Sequence, residues 1–318
     1  MAIIRLSTIG TPADYQDGLF PMVCKALGYE IRWTTPKQAD ALIIGPFAQA
    51  NKKALRWCPK PIRPRVSSIV DTLKPILRSR LYEPIKIYQT GENTRHDHIF
   101  ADYSISSDLG VVNPSHFRLP YWYELVDWSK EGINGNQNPR FGDLINLDRL
   151  MQPLGGQFLE RNNKAVLLTS HLREPRKSLL DALEKVVYVQ KFGGNFNPEI
   201  RNHHMSNFKK IDLLQEFSFN LCPENGLYPG YYTEKIPEAF QAGCLPISWA
   251  DSNVSIDFNP AAFINLLPFA HSDYVQFREL LESKESLSNY AEQPLLLKKP
   301  SIEPFTAFVQ KIMQDTKS

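Results

Sequence analysis

The chain has 318 residues, 42% of them hydrophobic and 22% charged, with a formal net charge of +2 at pH 7. This composition describes an ordinary globular protein with length enough for two domains, excludes a disordered chain, and argues against wholesale nucleic-acid binding. No apolar run approaches the roughly 20 residues of a membrane span, the start lacks a signal-peptide pattern, and four scattered cysteines form no C-x-x-C pair, so the expected setting is the reducing cytoplasm.

In chain order, a strand is expected over residues 3–9, then a helix over 15–27 with Gly28 as its C-cap. Strands at 29–34 and 41–45 follow, the second apolar throughout, as central parallel strands are. The Pro-interleaved basic stretch 52–80 reads as solvated loop and helix face, with a helix over 66–77. Strands at 85–89 and 103–106 lead to an aromatic cluster at 117–123. Residues 129–138 turn to Gly, Asn and Gln, a linker signature.

The second half restarts the alternation, with strands at 164–170, 186–190, 217–221 and 245–249. Helices are expected at 175–185, 209–216 and 233–242, then amphipathic ones at 280–290 and 305–313. Strands alternating with helices imply parallel sheets built from βαβ units. Two α/β domains facing each other across a cleft is the simplest architecture.

One run carries most of the chemistry: Phe219-Asn-Leu-Cys-Pro-Glu-Asn-Gly-Leu-Tyr-Pro-Gly-Tyr-Tyr-Thr-Glu-Lys235. A strand emptying through a Gly/Pro loop into a helix start gathers backbone N–H groups and a positive dipole end at one point, an anion site. Lys235 in the first turn opposes that dipole, so something anionic should compensate it. Arg176, at another expected helix start, suits bidentate phosphate recognition, with Arg173 as a rival. Glu92 follows a strand in a loop headed by Gly91, where a carboxylate could serve as a base. His96, Asp97 and His98 follow closely and could orient a base or an acceptor, though each histidine reads first as a loop residue, and Tyr121-Trp-Tyr123 reads as core or domain-interface aromatics before it reads as a sugar platform.

Together with Tyr88-Gln-Thr-Gly-Glu-Asn93, Gly193-Gly-Asn, Gly243-Cys-Leu-Pro-Ile and Asp257-Phe-Asn-Pro, this run resembles the bacterial α1,3/4-fucosyltransferase family. The resemblance implies an α/β fold of the GT-B type: two Rossmann-like domains, the acceptor domain at 1–150, the GDP-fucose domain at 151–300, and a C-terminal helix at 301–318 packing back on the first. It implies an inverting transfer from GDP-fucose to an acceptor oligosaccharide or lipid-linked glycan, with Glu92 as the base. Lys235 and Arg176 would then hold the donor diphosphate, Glu234 the ribose, and Asn225 and Tyr231 the nucleotide-sugar. No obligatory metal is expected, a divalent ion being at most stimulatory, because two basic groups could take the leaving charge and no D-x-D motif occurs. No nucleic-acid partner is expected, and peripheral membrane contact is left open. The chain departs from the family at Pro223, where an aromatic is usual, at Ser218, where a basic residue is common, and in loop 7–11, which lacks tryptophan. The alternatives are a GT-B transferase using another nucleotide-sugar and a non-catalytic nucleotide-sugar binder.

Overall fold

The computed structural model describes residues 1–48, 83–136, 143–193, 196, 209–269 and 274–317. The basic stretch 52–80 with its expected helix, Cys58, and Gly194-Asn195 lie outside these residues. In the first half, β1 (Ala2–Ile9), β2 (Tyr29–Trp33), β3 (Ala41–Ile44), β4 (Ile85–Gln89), β5 (Tyr103–Ser106) and β6 (His116–Arg118) form one sheet in the order β2-β1-β3-β4-β5-β6. In the second half, β7 (Ala165–Leu168), β8 (Val189–Phe192), β9 (Phe219–Leu221), β10 (Leu245–Ser248) and β11 (Ile264–Asn265) run in the order β11-β10-β9-β7-β8. Every neighbouring pair in both sheets is parallel. Helices cover their faces, so central strands such as β3 and β7 are apolar along their length.

The helices are α1 (Leu19–Ala26), α2 (Leu147–Leu150), α3 (Arg176–Leu183), α4 (Lys210–Leu214), α5 (Lys235–Gln241), α6 (Tyr274–Glu282), α7 (Lys284–Ala291) and α8 (Glu303–Asp315). Gly28 closes the first with φ +86°, a conformation that favours glycine. Four expected boundaries move for local reasons. The helix expected at 15–27 begins as a 3-10 turn, Tyr15–Asp17, and Gly18 turns extended before α1 starts. The strand expected at 186–190 forms at β8 instead, because the Val186 and Val187 N–H groups still bond the Leu183 carbonyl at the end of α3. The helix expected at 280–290 is split where the Ser283 hydroxyl accepts the Ser286 N–H at 3.1 Å, capping α7. The strand expected at 217–221 starts at Phe219, and β6 and β11 are strands too short to have shown a period of their own.

The two halves are joined at several points. Arg118, at the end of β6, donates to both carboxylate oxygens of Asp257 at 3.0 and 2.7 Å, and to the Gly230 carbonyl at 3.2 Å. Trp122 packs on Phe258 with ring centroids 5.4 Å apart. The last helix, α8, returns to the first half: Phe305 and Phe308 each lie 5.3 Å from the Phe117 ring, and Lys311 reaches the Pro114 carbonyl at 3.1 Å. No helix among the described residues is long and apolar enough to cross a membrane. Phe305 is fully buried in this contact, so Phe305→Ala should cost about 3–5 kcal/mol in denaturant unfolding. A loss well under 1 kcal/mol would show that α8 is not part of the core.

Candidate functional site

Read from its own first strand, each sheet follows one pattern: the first and third strands are neighbours, and the chain departs from them to opposite sides. The junctions β1/β3 and β7/β9 are therefore topological switch points, where loops at the carboxyl ends of strands part and leave a crevice. Loops following β1, β4, β7 and β9 line a single cleft of ≈ 990 Å³. All six residues singled out for the site line it: Glu92, Arg176, Asn225, Tyr231, Glu234 and Lys235.

The second-half wall is organised by Glu224, which is 2% exposed. Its Oε1 accepts the Thr233 N–H and hydroxyl, both at 2.8 Å, and its Oε2 accepts Lys235 Nζ at 2.8 Å. Lys235 also donates to Thr233 Oγ1 at 2.6 Å. Helix α5 begins at Lys235, two residues later than the sequence suggests, with Glu234 in the N-cap position. The anion that compensates the first-turn lysine is thus Glu224, a residue of the protein itself. Burial alone would lower the Lys235 pKa, but the Glu224 and Glu234 carboxylates outweigh it and hold the ammonium well above its usual value. Burial likewise opposes ionisation of Glu234, yet Lys235 and Lys210 override it and hold this carboxyl low. Lys210 lines the same wall and pairs with Glu238.

Arg176 opens α3 with its guanidinium turned inward, while Arg173 is exposed. Arg176 Nη1 donates to Thr169 Oγ1 at 3.0 Å and to His171 Nε2 at 3.3 Å, and its Nη2 bonds Asn225 Oδ1. Asn225 Nδ2 reaches the Tyr231 hydroxyl at 3.3 Å. A polar chain therefore links Arg176, Asn225 and Tyr231 across the loop after β9. Burial lowers the Arg176 pKa, with nearby carboxylates acting the other way, and the guanidinium stays charged. Ser218 accepts the Asn163 N–H at 3.0 Å and does not line the cleft.

Across the cleft, Glu92 sits on a tight loop. Its N–H donates to Thr90 Oγ1 at 3.1 Å, and its carbonyl accepts the Thr94 N–H at 2.7 Å. The Tyr88, Thr94 and Thr90 hydroxyls form a chain of 2.8 Å bonds beneath it. A Cβ at Gly91 would lie 2.3 Å from the Tyr121 ring, so the residue before Glu92 has room only for hydrogen. Tyr121 lines the cleft, whereas Trp122 and Tyr123 pack inward on Phe258 and Trp128. His96 is held by Asp108 at 2.9 Å, and neither it, Asp97 nor His98 lines the cleft.

Several lining residues escaped notice in the sequence. Glu124 accepts the Leu19 N–H at 2.9 Å and Gln89 Nε2 at 2.7 Å, and burial pushes its carboxyl above the usual value. The Tyr15 hydroxyl in turn donates to Gln89 Oε1 at 2.5 Å. Among the described residues, the charged side chains that line the cleft from the first half are Asp14, Asp17, Glu92 and Glu124, while the second half contributes Arg176, Lys210 and Lys235 beside Glu234. Among the described residues, no group of three or more His, Cys, Asp and Glu side chains is placed to hold a metal ion.

Comparison with known proteins finds similarity to fucosyltransferases. Residues 158–292 match the family described as glycosyltransferase family 10 (fucosyltransferase) C-term. The chain is similar to the alpha-(1,3)-fucosyltransferase FucT of Helicobacter pylori, 28% identical over 206 residues that cover 59% of this chain and 42% of that protein. A putative fucosyltransferase, R654 of Acanthamoeba polyphaga mimivirus, is 31% identical over 78 residues, 24% of this chain and 13% of that one. The chain thus spans less than half the length of either relative. A crystal structure of an alpha1,3-fucosyltransferase superposes with a TM-score of 0.65 at 21% identity, covering 98% of this chain and 90% of that one. Another, of an alpha1,3-fucosyltransferase with GDP-fucose, gives 0.66 at 17% identity, covering 99% and 91%. The fold is that of the GT-B glycosyltransferases.

Glu224→Gln keeps the shape of the buried side chain but strips Lys235 of its counter-charge. Breaking a buried ion pair from one side is costly, and we expect a loss of about 3 kcal/mol in chemical denaturation. A neutral outcome would remove Glu224 as the anchor of the loop.

Proposed function

Taking residues 158–292 as a glycosyltransferase family 10 domain, we propose that the chain is an inverting fucosyltransferase. It moves L-fucose from GDP-β-L-fucose to a hydroxyl of an acceptor glycan, O3 of GlcNAc or Glc being the favoured position. The observation that carries this reading is the placing of Arg176 and Lys235 on one wall of the cleft and of Glu92 on the other. A leaving diphosphate calls for positive charge that is already in place as the glycosidic bond breaks. Arg176 and Lys235 supply it, each oriented by buried partners. Asn225 and Tyr231 bear on the nucleotide-sugar from the same loop, and Glu234 takes ribose hydroxyls, as acidic residues do in dinucleotide folds.

On the opposite wall Glu92 accepts the proton of the acceptor hydroxyl. The freed oxygen attacks the anomeric carbon from the face away from the diphosphate, the bond to the phosphate oxygen breaks, and GDP leaves. Asp14, Tyr15 and Tyr121 belong to the acceptor wall. Because fixed cations take up the leaving charge, the reaction needs no metal, and transfer should persist in EDTA. Complete loss, restored by a divalent ion, would overturn that point. We place the reaction in the cytoplasm, on a polysaccharide or lipid-linked acceptor brought to the membrane face.

The direct test is mass spectrometry of an acceptor-glycan library incubated with GDP-fucose. Transfer from another nucleotide-sugar alone, and none from GDP-fucose, would refute the donor assignment. Glu92→Gln should lower kcat by about 10²–10⁴-fold with GDP affinity unchanged. Lys235→Ala should instead weaken GDP binding by about 10–100-fold, the range for a hydrogen bond to a charged group. A Glu92→Gln enzyme with full turnover sinks the base assignment, and unaltered GDP affinity in Lys235→Ala sinks the diphosphate contact.

A further inference from the structure

We propose that Arg95 is a positioning residue for the transfer: stacked on Tyr228, it straps the loop that carries Glu92 to the loop that carries Asn225 and Tyr231. The proposal rests on the functional reading above and adds to it the device that keeps the two walls at one separation. Arg95 lies three residues beyond Glu92, and Tyr228 lies midway between Asn225 and Tyr231. The two side chains belong to opposite halves of the molecule, yet the guanidinium carbon of Arg95 is 3.0 Å from the centre of the Tyr228 ring. At that distance the planar guanidinium and the phenol ring are stacked, a contact that arginine makes and lysine does not reproduce.

The arginine is itself held in place. Its Nη1 donates to Asp108 Oδ1 at 2.7 Å, and its Nη2 donates to Asn93 Oδ1 at 2.5 Å. Asp108 is buried on the loop after β5, where its other oxygen takes the His96 N–H at 2.6 Å and the His96 ring at 2.9 Å. Hydrogen bonds thereby tie the first-half loop together up to the guanidinium plane. A second contact lies beside the first: a Cβ on Gly226 would stand 3.1 Å from Asn93 Nδ2, so the two loops meet face to face there as well. Arg118 fixes the far end of the donor loop through the Gly230 carbonyl. The stretch 225–230 thus touches the first half at Gly226, Tyr228 and Gly230.

A base on one wall and a donor on the other must be held to within a fraction of an ångström, since a misplacement of about 1 Å costs on the order of 10²-fold in rate. Neither Arg95 nor Tyr228 lines the cleft, so their effect passes through the loops they join. The experiment measures kcat for transfer from GDP-fucose and the Kd for GDP in Arg95→Ala, Tyr228→Ala and the double variant, with Arg95→Lys and Tyr228→Phe as conservative partners. Each alanine variant should lower kcat about 10–100-fold with GDP affinity kept. The double variant should fall no further than the worse single, because both remove one contact. Tyr228→Phe, which keeps the ring, should restore kcat, while Arg95→Lys, which loses the planar stack, should not.

Unchanged kcat in Tyr228→Ala, losses that multiply in the double variant, or GDP affinity falling in step with kcat would each overturn the strap. If Arg95→Ala fails to fold, Tyr228→Ala decides alone. A wild-type protein that transfers no fucose overturns the functional reading and the positioning role with it. An active wild type beside an indifferent Tyr228→Ala overturns the strap only.

Discussion

Glu224 is the constraint from which the donor side of the cleft follows. A carboxylate taken out of water must be met by donors or it will not stay ionised. Here the Thr233 backbone and hydroxyl and the Lys235 ammonium meet it together. Because Glu224 stands at the head of the loop and Thr233 at its end, these bonds close the neck of a segment rich in Gly and Pro. Closing the neck sets where α5 starts, which places Glu234 at its cap and Lys235 at its first position. The same closure brings Asn225 to Arg176 and Tyr231, so one buried charge organises a wall made from three separate chain segments.

The rest of the architecture serves to bring a second wall opposite this one. Both halves repeat one strand order, and each opens a crevice where its first and third strands adjoin. Facing the crevices toward each other makes a single cleft from two ordinary α/β units. What keeps them facing is a set of contacts between halves, with Arg118 on Asp257 at its centre. Gly230 shows how close the halves come. Its φ is +91°, and any Cβ would fall 2.2 Å from the Ser107 carbonyl oxygen, so only glycine fits. Helix α8 adds a third tie by crossing back onto β5 and β6 through Phe305 and Phe308.

Much of the fold was legible because parallel strands buried on both faces must be apolar, and the apolar runs at β3, β7 and β10 say so directly. Legibility failed where an element is too short to display a period, as at β6 and β11, or where a cap breaks a helix, as at Ser283. At the site, the motif residues stood out by type and order. Glu224 did not, although it lies inside the motif, because a loop carboxylate reads as solvated until its burial is known. Glu124 and His171 carried no signal at all, and Gln89 carried one only as part of the run Tyr88–Asn93. The histidines at 96 and 98 are the loop residues they first read as: His96 is near Glu92 in sequence but bonds Asp108, and neither lines the cleft.

The sequence by itself determined two α/β halves, the strand-loop-helix run ending at Lys235, and the Gly-Glu loop after β4. These are local properties, written in periodicity, turn chemistry and motif spacing. Only the tertiary structure decided which charges face which. Arg176 is buried against Thr169 and Asn225 while Arg173 is exposed, Lys235 answers Glu224, and Glu92 stands on the wall opposite both. The physical reason is that charge pairing depends on distance through space and on burial. Residues such as Arg95 and Tyr228 are brought together only once both sheets are formed and their crevices face each other.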